Sequence, residues 1–97
     1  MHIEITLPPE TPPAERTRLI DAEAARGREL VDSGKLKRIW RVPGRWANVS
    51  LYDVADASEL HELLSSLPLF PWLDIEVEPL ARHPLGDHIE KRSKLND

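Results

Sequence analysis

The stretch "KLKRIWRVPGRWANVSLYDV", residues 35–54, decides how this chain folds. Residues 35–42 and residues 47–54 each alternate along an extended backbone, where successive side chains point to opposite faces. On the first, Leu36, Arg38, Trp40 and Val42 share one face, and Lys35, Lys37, Ile39 and Arg41 the other. Between them "PGRW", residues 43–46, is turn chemistry, and so short a connection predicts a hairpin.

Upstream of the hairpin the period changes to that of a helix. Pro12 to Ser33 reads as one helix. Thr11 is the expected N-cap, Pro12 fits the first helical position, and Gly34 is the residue able to take positive φ past the end. Ile20, Ala24, Gly27, Leu30 and Val31 form its apolar stripe, with Glu23 set among them. Before that helix, residues 1–8 alternate as a strand, with Ile3, Ile5 and Leu7 on one side. Downstream, Asp56 with Glu59 three residues on is a capping-box pattern. It opens a helix whose apolar face is Leu60, Leu63, Leu64 and Leu67, and "PLFP" at 68–71 closes it. Residues 73–80 alternate again, with Leu73, Ile75 and Val77 inward.

The order is therefore βαββαβ, an α+β ferredoxin-like sandwich: a four-stranded antiparallel sheet with two helices on one face. Residues 1–84 make a single domain. Residues 85–97 are a polar C-terminal tail without clear periodicity, expected to order only against a neighbour. The sheet's second face carries apolar residues, Ile39 and Val49 or their strand neighbours, amid charges. A one-layer sheet with such a face is expected to form a homo-oligomer.

Composition narrows the function. At 40% hydrophobic and 31% charged, the chain is too apolar to be disordered. A formal net charge of −4 gives no broad pull toward nucleic acid or an anionic membrane, so neither is an expected partner. The local cluster Lys35, Lys37, Arg38, Arg41 and Arg45 lacks the aromatic interleaving of single-strand binders. There are no cysteines, hence no disulfide framework and no thiol nucleophile. The first residues, "MHIEITLPPE", lack the basic and apolar regions of a signal peptide, and no apolar run reaches membrane-spanning length; the expectation is a cytoplasmic protein.

The candidate chemistry centres on Glu23. A carboxylate on an apolar stripe has two readings. It pairs at the surface with Arg26 or Lys37, or it lines a pocket, where desolvation raises its pKa and makes it a better base, with Gly27 one turn on leaving space. Asn48 and Ser50 share a strand face and suit a ligand's oxygen atoms. Trp40 is an interface anchor or part of a ligand wall. His61 sits beside the second helix's stripe, where a local hydrogen bond satisfies it, and is carried as a substrate-side candidate. No histidine and carboxylate spacing of a metal site occurs, and no glycine-rich phosphate loop, so no metal and no cofactor are expected.

Three segments together resemble one family. Ala22-Glu23, "IWRVPGRWANVSLYDV" at 39–54 and "ELHELLSSLPLFPWLDIEVEPLARHP" at 59–84 look like muconolactone Δ-isomerase. The resemblance implies a cofactor-free proton shift in a small unsaturated lactone, muconolactone to 3-oxoadipate enol-lactone, in the 3-oxoadipate route of aromatic catabolism. It implies Glu23 as the single base and a decamer whose active sites are shared between subunits. Asn48 and Ser50 then become donors to the lactone carbonyl, and Arg38, Arg41 or Arg82 the cation for the substrate carboxylate. The sequence departs from the family pattern at Leu36, where tryptophan is common, at Arg38, where histidine is seen, at Val49, where tyrosine is common, and at Trp46 and Trp72, positions often held by tyrosine. If Leu36 and Val49 line the pocket, it is wider and less polar. Competing expectations are a chloromuconolactone dehydrohalogenase or another small-molecule isomerase on the same scaffold, or a non-catalytic oligomeric binding module.

Overall fold

The structure, a computed structural model, describes residues 1–96. Its elements are β1 (His2–Ile5), α1 (Pro13–Asp32), β2 (Leu36–Arg41), β3 (Ala47–Tyr52), α2 (Ala57–Ser65), a 3-10 turn (Phe70–Trp72), β4 (Leu73–Glu76) and α3 (Pro84–Asn96). The four strands form one sheet in the order β2-β3-β1-β4, every neighbouring pair antiparallel. This is the expected ferredoxin-like arrangement.

The predicted hairpin forms, but its faces do not follow a simple alternation. Leu36 lies opposite Tyr52, yet Arg38 lies opposite Leu51, so Lys37 is an extra residue on β2. Such a bulge reverses the parity of every later side chain on its strand. Residues opposite one another in antiparallel strands share a face. Ile39 and Arg41, opposite Ser50 and Asn48, therefore join Leu36 on the helix-covered side. Arg38 and Trp40, opposite Leu51 and Val49, turn to the open side. The alternation expected for residues 35–42 is corrected on this point.

The core lies between sheet and helices in two clusters. Ile3, Leu30, Leu36, Leu64 and Leu67 make the first, and Leu7, Leu19 and Leu69 the second. Fully burying one such side chain contributes about 1.5–3 kcal/mol. Helix α1 is pinned at both ends, Leu19 in one cluster and Leu30 in the other. Its inward stripe runs Leu19, Glu23, Gly27, Leu30, while Ile20 and Val31 stay exposed. The stripe is thus rotated by about one residue from the sequence reading.

Helix ends agree with expectation in part. Gly34 takes φ +79° after α1, and the Asp56 side chain accepts from the Glu59 N–H at 2.8 Å. Thr11 does not cap α1; Pro12 holds the N-cap position without a side-chain hydrogen bond. Strand β4 stops at Glu76, four residues short of the predicted end, and Val77 is exposed rather than inward. Residues of the expected tail form α3. Pro84 needs no N–H at a helix start, the Leu85 N–H is met by His83 Nδ1 at 3.0 Å, and Asp87 lies in the first turn. Leu85 and Ile89 on α3 remain exposed.

Candidate active site

A cleft of about 280 Å³ opens between α1 and the helix-covered side of the sheet. That is near the lower end of the usual range for small-molecule sites, about 300–1,000 Å³. It lies between the two core clusters, where α1 presents Glu23 and Gly27 instead of leucines. A Cβ built on Gly27 meets nothing within 4 Å, so the glycine leaves open space one turn below the carboxylate. This absence of volume accounts for a residue that costs a helix interior about 1 kcal/mol relative to alanine.

Glu23 is half-buried, and Oε1 accepts the backbone N–H of Leu69 at 2.9 Å. Leu69 is 1% exposed and precedes the 3-10 turn, so "LPLFP" delivers a rigid donor to a helix 46 residues earlier. Burial pushes the Glu23 carboxyl above its ordinary range, and the Leu69 N–H pulls it part of the way back. The expected alternative, a surface pair with Arg26 or Lys37, is not formed. Arg26 instead donates to Glu29 at 2.8 Å and to Ser66 Oγ at 3.0 Å. Among the described residues no cation pairs with Glu23. A carboxylate raised by desolvation, held through one oxygen and facing a cavity is equipped to take up and return a proton.

The other candidates divide. Arg41 and Asn48 line the Glu23 cleft. Asn48 Oδ1, an acceptor, is buried without a hydrogen-bond partner in the chain. Arg41 is exposed and unpaired among the described residues, so its guanidinium is available to an anion. Ser50 shares the helix-covered face but is only 3% exposed, with Oγ buried and unpartnered, and lies outside the cleft wall. Trp40 and Arg38 are on the open face, away from Glu23 within this subunit. His61 on α2 stands edge-on to Phe70, with ring centroids 6.2 Å apart, and is not in the cleft. Arg82 is 92% exposed at its side chain and sits 3.6 Å from Asp87. Of the family departures, Leu36 and Trp46 line the cleft, while Arg38 and Val49 face the open side.

Residues the sequence reading did not assign also form the wall. Tyr52 and Trp46 both line it. Trp46 is stacked under the guanidinium of Arg16, 4.7 Å from its ring centroid. Tyr52 was reachable from the sequence by extending the Asn48, Ser50 period one more step. The Leu69 N–H carried no signal, because a backbone donor is invisible to residue type.

A second, larger cleft of about 380 Å³ lies where β3 ends, between the start of α2 and the chain beyond β4. Its acidic residues are Asp53, Asp56 and Glu78, with no lysine, arginine or histidine among its lining residues, an unfavourable place for an anionic substrate. Among the described residues no cluster of three or more histidines or carboxylates is placed to hold a metal ion, and no helix is long and apolar enough to cross a membrane.

Comparison with known proteins gives a consistent picture. A family model described as muconolactone delta-isomerase matches residues 1–85. The muconolactone Delta-isomerase of Rhodococcus opacus is 42% identical over 83 residues, covering 86% of this chain and 89% of that protein. Muconolactone Delta-isomerase 2 of Acinetobacter lwoffii is 40% identical over 93 residues, covering 94% and 97%. A crystal structure of a muconolactone isomerase superposes with a TM-score of 0.77 at 41% identity, covering 86% of this chain and 88% of that one.

Proposed function

The chain belongs to the muconolactone Δ-isomerase family and is an isomerase, and from that membership we propose that it converts muconolactone to 3-oxoadipate enol-lactone, in the 3-oxoadipate route, with Glu23 as its single base. The observation that carries this reading is the cation-free, half-buried carboxylate of Glu23 facing a cleft that also presents Asn48 and Arg41.

The reaction is a proton shift across an allylic system. The ring hydrogen beside the acetate arm is acidified by the conjugated double bond and the lactone carbonyl. Glu23 takes it as a proton, the electron pair spreads through the ring, and negative charge reaches the carbonyl oxygen. The protonated Glu23 then returns the proton to the carbon next to the carbonyl, and the double bond moves by one position. No electron leaves the substrate and no group is transferred. The protein's own contributions are a base whose pKa burial has raised, a donor at the carbonyl oxygen and a cation for the acetate carboxylate. Asn48 supplies an amide donor and Arg41 the cation. The reading keeps the cytoplasmic location expected from the sequence.

The pH profile of kcat/KM tests the assignment. The base must be ionised, so activity rises with pH through the Glu23 pKa, which burial holds above the ordinary carboxylate value of 4.5. The expected ascending limb lies above that value for the wild type. A limb at or below it would remove Glu23 as the titrating base.

The open sheet face supports a homo-oligomer, a decamer with shared active sites in our reading. It displays Trp40 at 56% exposure beside Val49 and Leu51. Contiguous apolar surface of this kind is characteristic of a contact between subunits. Sedimentation at micromolar concentration is expected to give a mass many times that of the 11.1 kDa chain, and Trp40→Glu to lower it. A wild-type monomer would overturn the shared-site reading.

A further inference from the structure

Proton removal from the lactone places negative charge on one oxygen, and a single amide at Asn48 is a sparse receptor for it. The helix-covered face of β3 continues Asn48, Ser50, Tyr52. Ser50 is only 3% exposed and lines the second cleft, not that of Glu23. Tyr52 stands between the two clefts and lines both, and its longer side chain projects from the same face. The geometry points to the Tyr52 hydroxyl as a catalytic donor to the lactone carbonyl oxygen, acting with Asn48 while charge accumulates there. This inference rests on the assignment of Glu23 as the base.

Three observations support it. First, Tyr52 is held in place. It packs against the cluster of Ile3, Leu30, Leu36, Leu64 and Leu67 and lies opposite Leu36, the residue just before the bulge, so the ring has little freedom to leave the site. Second, its proton stays on. Burial and then the charge of Glu23 raise the phenol above its ordinary value, opposed by Arg26, and no hydrogen bond contributes. The hydroxyl is therefore neutral in the working range and uncommitted. Third, a phenol that feels the charge of Glu23 borders the same space as the base, on the sheet side of a cleft whose other side is α1. Base and donor thus flank the substrate from opposite walls. In the ground state the carbonyl oxygen is only partly negative. It gains charge as the proton leaves, so this hydrogen bond strengthens in the transition state and acts on kcat more than on binding. The phenol keeps its proton throughout; Glu23 alone exchanges one with the substrate.

The test is Tyr52→Phe, which removes the oxygen and keeps the ring. A lost donor of this kind lowers kcat by about 10- to 100-fold, with KM within about threefold of wild type. The melting temperature should be unchanged. With substrate deuterated at the ring carbon, the isotope effect on kcat should be at least as large as in the wild type, because proton removal is the step that slows. Ser65→Ala, which removes a hydroxyl from an exposed helix position outside the cleft, serves as the comparison, with kcat expected within about twofold. A Tyr52→Phe kcat within twofold of wild type overturns the assignment. So does a loss carried entirely by KM, or one that tracks a fall in melting temperature with a diminished isotope effect. If Glu23→Gln retains turnover, the base assignment fails instead; if Glu23→Gln is inactive while Tyr52→Phe is not, only the role of Tyr52 falls.

Discussion

Glu23→Gln is expected to lose about 10³- to 10⁴-fold in kcat, the upper part of the range for a general acid–base group, because one side chain performs both proton transfers. At about 1.4 kcal/mol per tenfold, that is about 4–5.5 kcal/mol of transition-state stabilisation. The amide retains the shape and still accepts the Leu69 N–H through its oxygen, so the fold has no reason to change. Stability should move in the opposite direction from activity. In the folded chain burial raises the Glu23 pKa, so the protonated form is favoured there relative to the unfolded chain. The associated stability is fully present below the unfolded value and is lost as pH rises through the folded value. At neutral pH the wild type carries the cost of an ionised, half-desolvated carboxylate and the glutamine variant does not. The variant is therefore expected to melt at a higher temperature near pH 7, with the difference vanishing below about pH 4.5, the ordinary value. Active sites hold such destabilising groups because the chemistry requires them. A variant that keeps more than a tenth of wild-type turnover would exclude Glu23 as the essential base.

Arg41→Ala is expected to cost about 10- to 150-fold in kcat/KM, the worth of a charge-assisted hydrogen bond at about 1.5–3 kcal/mol, and mainly through KM. Arg41 is on the cleft wall only because the Lys37 bulge turns it there, and no acidic partner among the described residues competes for it. Arg41→Lys should recover part of the loss, since a point charge replaces a planar fork. The methyl ester of the substrate's acetate arm removes the partner charge, so wild type and Arg41→Ala should process it about equally. Arg82→Ala, at an exposed arginine near Asp87, is expected to stay within about twofold of wild type. An unchanged Arg41→Ala would move carboxylate recognition to another cation, Arg38 on the open face of a neighbouring subunit being the next to examine.

The family departures affect the pocket unequally. Leu36 lines the cleft, where a leucine occupies less volume than an aromatic ring. Val49 faces the open side of the sheet and changes the surface there. Leu36 and Trp46 are therefore the departures that bear on the width of this subunit's cleft, whose wall also carries Asn48, Tyr52 and Arg41.

Much of this protein was legible along the chain. The alternation in 35–54, helix-period stripes on both sides, Gly34 past the first helix and Asp56 before the second are local signals. Each acts within a few residues, through backbone sterics or a single capping hydrogen bond. Together they determined the element order and the ferredoxin-like sheet. Glu23 also stood out locally, because a carboxylate on an apolar stripe contradicts the pattern around it. What the chain alone did not reveal was decided by partners distant in sequence. The bulge at Lys37 exists only in the register of β2 against β3, and it exchanges which of Arg38, Trp40, Ile39 and Arg41 face the helices. A period-two pattern carries no mark of one inserted residue; pairing with a neighbouring strand decides it. The exact inward stripe of α1 was set likewise, by Leu19 and Leu30 docking into separate clusters. The state of Glu23 depends on a main-chain N–H at Leu69, brought to it by the turn after α2. Desolvation and a long-range hydrogen bond are properties of packed neighbours, so only the tertiary structure could turn an awkward glutamate into a poised base.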